Sequence, residues 1–242
     1  MSLTARGLAV GFGHRAVAKD LAMEIAPGQC WAVLGNNGSG KTTLLHTLAG
    51  IRRALAGSVA LEGRVLSSLD AGQRARAIGL LLQEEPLEFW GSVLEYVCLG
   101  RYPHRRARLK PAPEDETMAR AHLERLELTA FAGRALASLS GGERQRARLA
   151  LVLTQQPVYY LLDEPLQHLD LRHQARVLEH FAGLAAGAAA AVVMVLHDPR
   201  LAQRYCDHAL LLYDREAPMS GTRQEVLTGA NLERLYGVPV TL

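Results

Sequence analysis

The chain has 242 residues and a mass of 26.3 kDa, enough for a full α/β core with room for a smaller subdomain. Its 49% hydrophobic and 21% charged residues are those of a globular protein and exclude a disordered chain. A net charge of +3 is too mild for the concentrated basic face that nucleic acid requires, so no nucleic-acid partner is expected. Cys30, Cys98 and Cys206 fall in no CxxC or Cys/His spacing; they read as free thiols in a reducing compartment, with neither disulfide nor zinc implied.

The first residues, Met1 to Gly7, lack the charged-then-apolar layout of a signal peptide. Two strands, Leu8 to Val10 and Leu21 to Ile25, are predicted around a turn at Gly11-Phe12-Gly13. Phe12 reads as a core residue unless an adenine ring is nearby to stack on it. An apolar run, Cys30 to Leu34, then leads as a buried strand into Gly35-Asn36-Asn37-Gly38-Ser39-Gly40-Lys41-Thr42, and Thr43 to Ala49 continue as a helix. Strand, glycine loop and helix in that order define a phosphate-binding loop, or P-loop. The glycines let successive N–H groups point inward, and the helix N-terminus adds partial positive charge. Lys41 is expected on the β- and γ-phosphates of a nucleoside triphosphate, and the Thr42 hydroxyl on Mg²⁺.

Further strands are predicted at Ser58 to Leu61 and at Ile78 to Leu82, the second ending at Gln83, which Glu84-Glu85-Pro86 follow. From 92 to 135 the composition shifts to a helical insert. Ser92 to Leu99 and Glu114 to Leu128 read as helices, and the basic, proline-containing run Arg101 to Pro111 between them reads as a solvated loop. Leu139-Ser140-Gly141-Gly142-Glu143 then opens a strongly patterned helix. Its paired glycines offer a second anion site, and Ser140 with Glu143 also makes a capping box that needs no ligand; the two readings are compatible.

Val158 to Leu162 reads as a buried strand ending in Asp163-Glu164, adjacent carboxylates that are costly unless neutralised. Mg²⁺ on Asp163 and a polarised water on Glu164 would meet that need. A helix from about Leu171 to Leu184 follows Asp170, and the strand Ala190 to Leu196 ends at His197. The uncharged run Phe181 to Leu196 is shorter than the roughly 20 residues a membrane-spanning helix needs, so a helix end plus a strand is predicted there and any membrane role is expected to come through a partner. Ala209 to Tyr213 reads as a last strand, with short helices at Arg223 to Leu227 and Asn231 to Tyr236.

The P-loop, Leu139-Ser140-Gly141-Gly142-Glu143, the strand ending in Asp163-Glu164 and then His197, in that order, resemble the ATP-binding cassette (ABC) ATPases along essentially the whole chain. The resemblance implies an α/β P-loop fold: a mainly parallel sheet, an N-terminal antiparallel β subdomain and an all-helical insert. It divides the single domain of residues 1–242 into a catalytic core, 1–91 with 136–242, and the insert, 92–135. It implies that Phe12 stacks on adenine and that Gly35 to Thr43 cradle the phosphates. Thr42, Gln83 and Asp163 would hold Mg²⁺, Glu164 would polarise the attacking water, and His197 would sit beside the γ-phosphate. Ser140, Gly141, Gly142 and Asp170 would act across a homodimer, closing the nucleotide held by the P-loop of a second copy. Departures from the family pattern are Asn36, where Pro is common, and Leu166-Gln167-His168 ahead of Leu169-Asp170.

Tyr96 to His104 and the tail Gln224 to Thr228 with Leu235 to Val238 look like the subgroup that imports iron-siderophores, haem and cobalamin, and the short insert and tail most resemble its cobalamin branch. The resemblance thus implies two separate membrane-spanning permease subunits, an indirect substrate-binding protein, and a peripheral place on the cytoplasmic face of the bacterial inner membrane. Leu87-Glu88-Phe89-Trp90 reads either as a docking edge for the permease or as an anchor of the insert. An exporter motor, a non-transport cassette and a regulatory module without turnover are the rival readings.

Overall fold

Two long antiparallel strands open the chain, β1 (Leu3–Phe12) and β2 (Arg15–Ile25), paired from Leu3↔Ile25 to Phe12↔Arg15. Both outrun the short segments predicted for them, Leu8 to Val10 and Leu21 to Ile25, and Gly11 and Phe12 belong to β1 rather than to a turn. Leu3, Ala5, Leu8 and Val10 are buried, but a register shift between Ala5 and Leu8 breaks the two-residue alternation and masks the strand in the sequence. The computed structural model describes residues 2–12, 15–83, 89–105, 111–214, 216–240 and 242, leaving aside the side chains of residues 12 and 15. Gly13 of the expected turn, residues 84–88 after Gln83, and residues 106–110 of the basic run lie outside the described residues, as does the adenine-stacking role of the Phe12 side chain.

Next come β3 (Cys30–Gly35), α1 (Lys41–Leu48), β4 (Ala56–Leu61), β5 (Arg64–Val65), α2 (Ala71–Ala77) and β6 (Ile78–Leu81). They are followed by α3 (Val93–Cys98), α4 (Pro113–Arg125), α5 (Gly141–Gln155), β7 (Tyr159–Leu162), α6 (Leu171–Ala186) and β8 (Ala191–Val195). The chain closes with α7 (Pro199–Tyr205), β9 (His208–Leu212), β10 (Met219–Thr222), α8 (Arg223–Val226) and α9 (Gly229–Tyr236). A four-stranded sheet has the order β2-β1-β4-β5 and is antiparallel; a six-stranded sheet has the order β10-β9-β3-β8-β7-β6 and is parallel except for β10. Among the described residues no helix is long and apolar enough to cross a membrane.

The strand β3 is buried along its whole length because both its faces are covered. Cys30, Ala32 and Leu34 face a core shared with α3 to α6, whereas Trp31 and Val33 face a second core shared with the antiparallel sheet and α1. The same alternation splits β7, with Tyr160 and Leu162 on one side and Tyr159 and Leu161 on the other. Folding also brings two thiols together: the sulfurs of Cys30 and Cys206, both buried and free, lie 3.7 Å apart.

The helices α3 and α4 pack on α5 through Val93, Val97, Ala119, Leu123, Ala147 and Ala150. Here the expectation of a solvated basic loop needs correction. Leu99–His104 forms a 3₁₀ turn, and its Arg101 and the following Arg105 fold inward onto Asp115, with Arg101 Nε 3.1 Å from Oδ1 and Arg105 Nε 3.7 Å from Oδ2. The Asp115 carboxylate also accepts from the Ala112 amide at 3.1 Å and so caps α4. A charge run predicts solvation only when no counter-charge faces it in the fold, and the half-buried Asp115 lies ten or more residues further along the chain.

Burial raises the pKa of Asp115, but the Ala112 amide and the Arg101 and Arg105 guanidinium groups outweigh it and hold the carboxyl below its usual range. A depressed carboxyl contributes stability that is complete above its unfolded value of about 4 and is lost as pH falls through the folded value. Asp115→Asn should therefore cost about 1 kcal/mol in urea unfolding at pH 7, and the gap from the parent chain should narrow as pH is lowered toward 3.

Candidate active site

The order of the parallel strands assembles the site. The chain leaves the carboxyl ends of β3, β8, β7 and β6 at the P-loop, His197, Asp163-Glu164 and Gln83 respectively. Adjacent strands lie about 4.8 Å apart, so residues far apart in sequence are delivered to one edge of the sheet, where ligands of open α/β sheets bind. The result is a cleft of about 400 Å³ lined by Asn37, Gly38, Gly40, Lys41, Thr42, Thr43, Gln83, Glu164 and His197.

The loop geometry explains its glycines. Gly40 is the N-cap of α1 with φ of 97°, a left-handed conformation that L side chains rarely adopt, and a Cβ there would come within 2.4 Å of Val17 Cγ2. A Cβ on Gly35 would meet the Leu212 carbonyl oxygen at 2.8 Å. No side chain caps α1 and no acidic residue stands in its first turn, so its leading N–H groups remain open to an anion. The Lys41 ammonium is buried and donates to the carbonyls of Gly35, at 2.9 Å, and Asn36, at 3.0 Å. Burial lowers its pKa below the usual lysine value, and the Glu164 and Asp163 charges partly offset this. Asn36, the departure noted in the P-loop, donates through Nδ2 to the Leu235 carbonyl at 3.0 Å and so fastens the loop to α9.

Asp163 is 1% exposed, and neither of its oxygens has a hydrogen-bond partner within the described protein. Burial raises its carboxyl pKa against the opposing influence of the neighbouring Thr42 side chain and the His46 and Lys41 charges. This is the carboxylate that the sequence places on Mg²⁺, and its missing partner and its place beside Thr42 fit a hard cation with oxygen ligands. Glu164 has a positive φ of 48°, and its Oε1 lies 3.0 Å from His197 Nε2. His197 therefore stands in direct contact with the carboxylate.

Two residues that the sequence reading did not single out position these groups from α5. The buried Gln145 donates through Nε2 to the Glu164 carbonyl at 3.3 Å and to the Pro165 carbonyl at 3.1 Å. Buried Arg148 donates to the Leu82 carbonyl, to the Gln83 carbonyl at 3.4 Å and to Gln145 Oε1 at 3.0 Å. One helix thus grips the backbone of both loops that carry Gln83 and Glu164. The polar positions inside its helical pattern were the available signal.

The remaining expected site residues do not line the cleft. Ser140 caps α5, accepting from the Glu143 amide at 3.4 Å, while Glu143 Oε2 accepts from the Ser140 amide and hydroxyl at 2.8 Å each. Gly142 packs so closely on the His168 carbonyl that a Cβ would stand 2.8 Å from it. Asp170 caps α6 by accepting from the His173 amide at 2.9 Å. The structure therefore sorts the expected residues into a nucleotide cleft and a second patch, Ser140 to Gly142 with the loop leading to Asp170.

Residues 18–167 match the ABC transporter family. Over 98% of this chain and 93% of the relative, the sequence is 39% identical to the hemin import ATP-binding protein HmuV of Bordetella avium. It is 36% identical to the ferric enterobactin transport ATP-binding protein FepC of Escherichia coli, over 96% of this chain and 85% of the relative. A putative metal-chelate type ABC transporter in an inward-facing conformation superposes with a TM-score of 0.84 at 32% identity, covering 98% of this chain and 90% of that one. The dimeric ABC transporter cassette MJ0796 superposes with a TM-score of 0.78 at 25% identity, covering 91% and 98%. The chain belongs to the ABC transporter family and has the fold of its ATP-binding cassettes. It is an ATPase of that family.

A carboxyl whose pKa is raised on folding costs stability, and the cost grows as pH rises from the unfolded value through the folded one. Asp163→Asn should therefore raise the thermal midpoint of the nucleotide-free chain at pH 8, by about 2–4 °C per kcal/mol recovered. The gain should shrink as pH falls toward 4, and Mg²⁺ with ATP should stabilise the parent chain far more than the variant in the same thermal scan.

Proposed function

We propose that this chain is the ATP-hydrolysing subunit of an importer for an iron chelate, with haem the leading cargo, and that it works as a homodimer. The observation that carries the dimer is the sorting of the site: the cleft contains the P-loop, Gln83, Glu164 and His197, whereas Ser140 to Gly142 lie in a separate patch. A second copy would supply its Ser140 segment to the open side of the cleft, as the resemblance to cassette dimers implies. Residues 1–91 and 136–242 would then form the catalytic core, and residues 92–135 the helical insert.

In this reading Lys41 leaves the carbonyls of Gly35 and Asn36 for the β- and γ-phosphates, and the open amides at the start of α1 hold the same oxygens. Thr42, Asp163 and Gln83 would hold Mg²⁺, which when bound neutralises charge on the phosphates. The Glu164 carboxylate accepts a hydrogen bond from the attacking water and orients its lone pair toward the γ-phosphorus. As the new P–O bond forms, the bond to the β-phosphate oxygen breaks, and the water's proton passes to Glu164 or solvent. His197 keeps Glu164 at the required angle through the 3.0 Å contact. ATP joins the two copies and its hydrolysis parts them, which supplies a motion to docked subunits.

Those subunits would be two membrane-spanning permeases at the cytoplasmic face of the bacterial inner membrane, fed by a substrate-binding protein. Trp90 is 95% exposed, while Phe89 packs edge-on against the buried Tyr96 of α3. Of the two readings of that segment, Phe89 supports the anchor and Trp90 the docking edge; Leu87 and Glu88 lie outside the described residues. As to cargo, relatives matching nearly the whole chain act in hemin and ferric enterobactin transport, which supports an iron chelate over the cobalamin expected from the short insert.

Glu164→Gln should bind ATP, abolish phosphate release and run as a dimer in size-exclusion chromatography with ATP and Mg²⁺; a variant that stays monomeric would overturn the sandwich. For the cargo, the chain reconstituted with its permeases in vesicles should hydrolyse ATP faster with a haem-loaded binding protein than with a cobalamin-loaded one. The opposite order would return the assignment to cobalamin.

A further inference from the structure

Glu127 follows α4 in a left-handed turn, with φ of 56°, and stands where three parts of the molecule meet. From α5, Arg146 donates to the Leu126 carbonyl at 2.7 Å and the Glu127 carbonyl at 3.1 Å. From α6, Arg172 and Arg176 both donate to Glu127 Oε1, the former at 2.8 Å. The other oxygen, Oε2, lies 3.3 Å from His173 Nε2. The opposite nitrogen of that ring, Nδ1, lies 2.9 Å from Asp170 Oδ1, the oxygen that also accepts the His173 amide. The imidazole is 19% exposed, much less than the 67% of the Asp170 side chain. A half-buried ring thus stands between two carboxylates, one on the helical insert and one at the end of the loop that packs on Gly142.

We propose that His173 is a positioning residue that ties the Asp170 loop to the helical insert through Glu127, so that the dimer-facing patch takes its closed geometry only when the insert is docked on α6. The proposal rests on the dimer reading above. It requires no contact between His173 and nucleotide. Simple capping of α6 needs only the Asp170 carboxylate and a backbone amide; it explains neither the histidine nor Glu127. Two arginines occupy one oxygen of Glu127 and its second oxygen faces the ring at ion-pair distance without hydrogen-bond geometry, while Nδ1 meets Asp170, so the three side chains stand in a row rather than a cluster. A movement of the insert is therefore transmitted to the Asp170 side chain without passing through the nucleotide cleft.

The test uses the full-length chain. In the Glu164→Gln background, the ATP-dependent monomer–dimer equilibrium is measured by sedimentation for the native His173 form, His173→Ala, Glu127→Gln and the double variant. Each single variant should weaken the dimer about tenfold, and the double variant should be no weaker than either single one, because removing either end breaks the same row. With Glu164 intact, His173→Ala should lower kcat with KM for ATP little changed, since the P-loop is untouched. A merely structural His173 would instead show additive losses, or equal changes in kcat and KM, and either result overturns the proposal. Native-like dimerisation of His173→Ala overturns it as well. Failure of the native His173 form itself to dimerise overturns the dimer reading on which it rests, so the two failures are separable. Thermal midpoints and circular dichroism of each variant confirm that a folded chain is being compared, and His173→Gln supplies a second replacement should the alanine variant misfold.

Discussion

A buried carboxylate without a hydrogen-bond partner is the constraint around which the site is built. Asp163 follows the buried strand β7, and among the described residues neither of its oxygens has a hydrogen-bond partner of ordinary geometry. Such a group costs folding free energy unless its charge is met, and the Thr42 side chain with the His46 and Lys41 charges meets it only in part, because its pKa stays raised. The same constraint governs the buried Lys41, whose ammonium donates to the carbonyls of its own loop.

The two glycine-bearing helix entrances illustrate how similar sequence chemistry can be put to different use. At α1 no side chain competes for the leading amides, and the entrance opens into the cleft. At α5 the Ser140 hydroxyl and the Glu143 carboxylate satisfy each other, and Gly142 is required for close packing on the His168 carbonyl. His168 occupies one of the positions where the chain departs from the family pattern, and its backbone has a positive φ of 63°. The departure is absorbed by the turn and leaves the capping box intact.

What could be read from the sequence were groups whose chemistry is local. The P-loop, Asp163-Glu164 and the Ser140–Glu143 cap depend on spacings of a few residues, and strand–loop–helix patterning located them. Contacts that depend on how distant strands and helices come together were not legible. Asn36 reaches Leu235 across 199 residues, Arg148 reaches Gln83 across 65, and Arg101 finds Asp115 across a segment read as solvated. Each joins a polar side chain to a partner that only the completed fold supplies. The capping box of Asp70 and Gln73 at α2 was local and could have been found; its helix of Ala, Gly, Gln and Arg has no buried face to give it a hydrophobic period. The strand β5 is two exposed residues long, and β10, Met-Ser-Gly-Thr, alternates in burial but carries only one apolar side chain to mark it in the sequence.

The alternation along β3 carries a consequence for the molecule as a whole. Cys30, Ala32 and Leu34 belong to one core while Trp31 and Val33 belong to the other, and the strand runs directly into the P-loop. Unpacking either core uncovers one face of this shared strand. The chain is thereby built to melt in one cooperative step despite its two sheets, and a nucleotide gripped at the end of β3 would slow hydrogen exchange in both cores, including amides far from any phosphate.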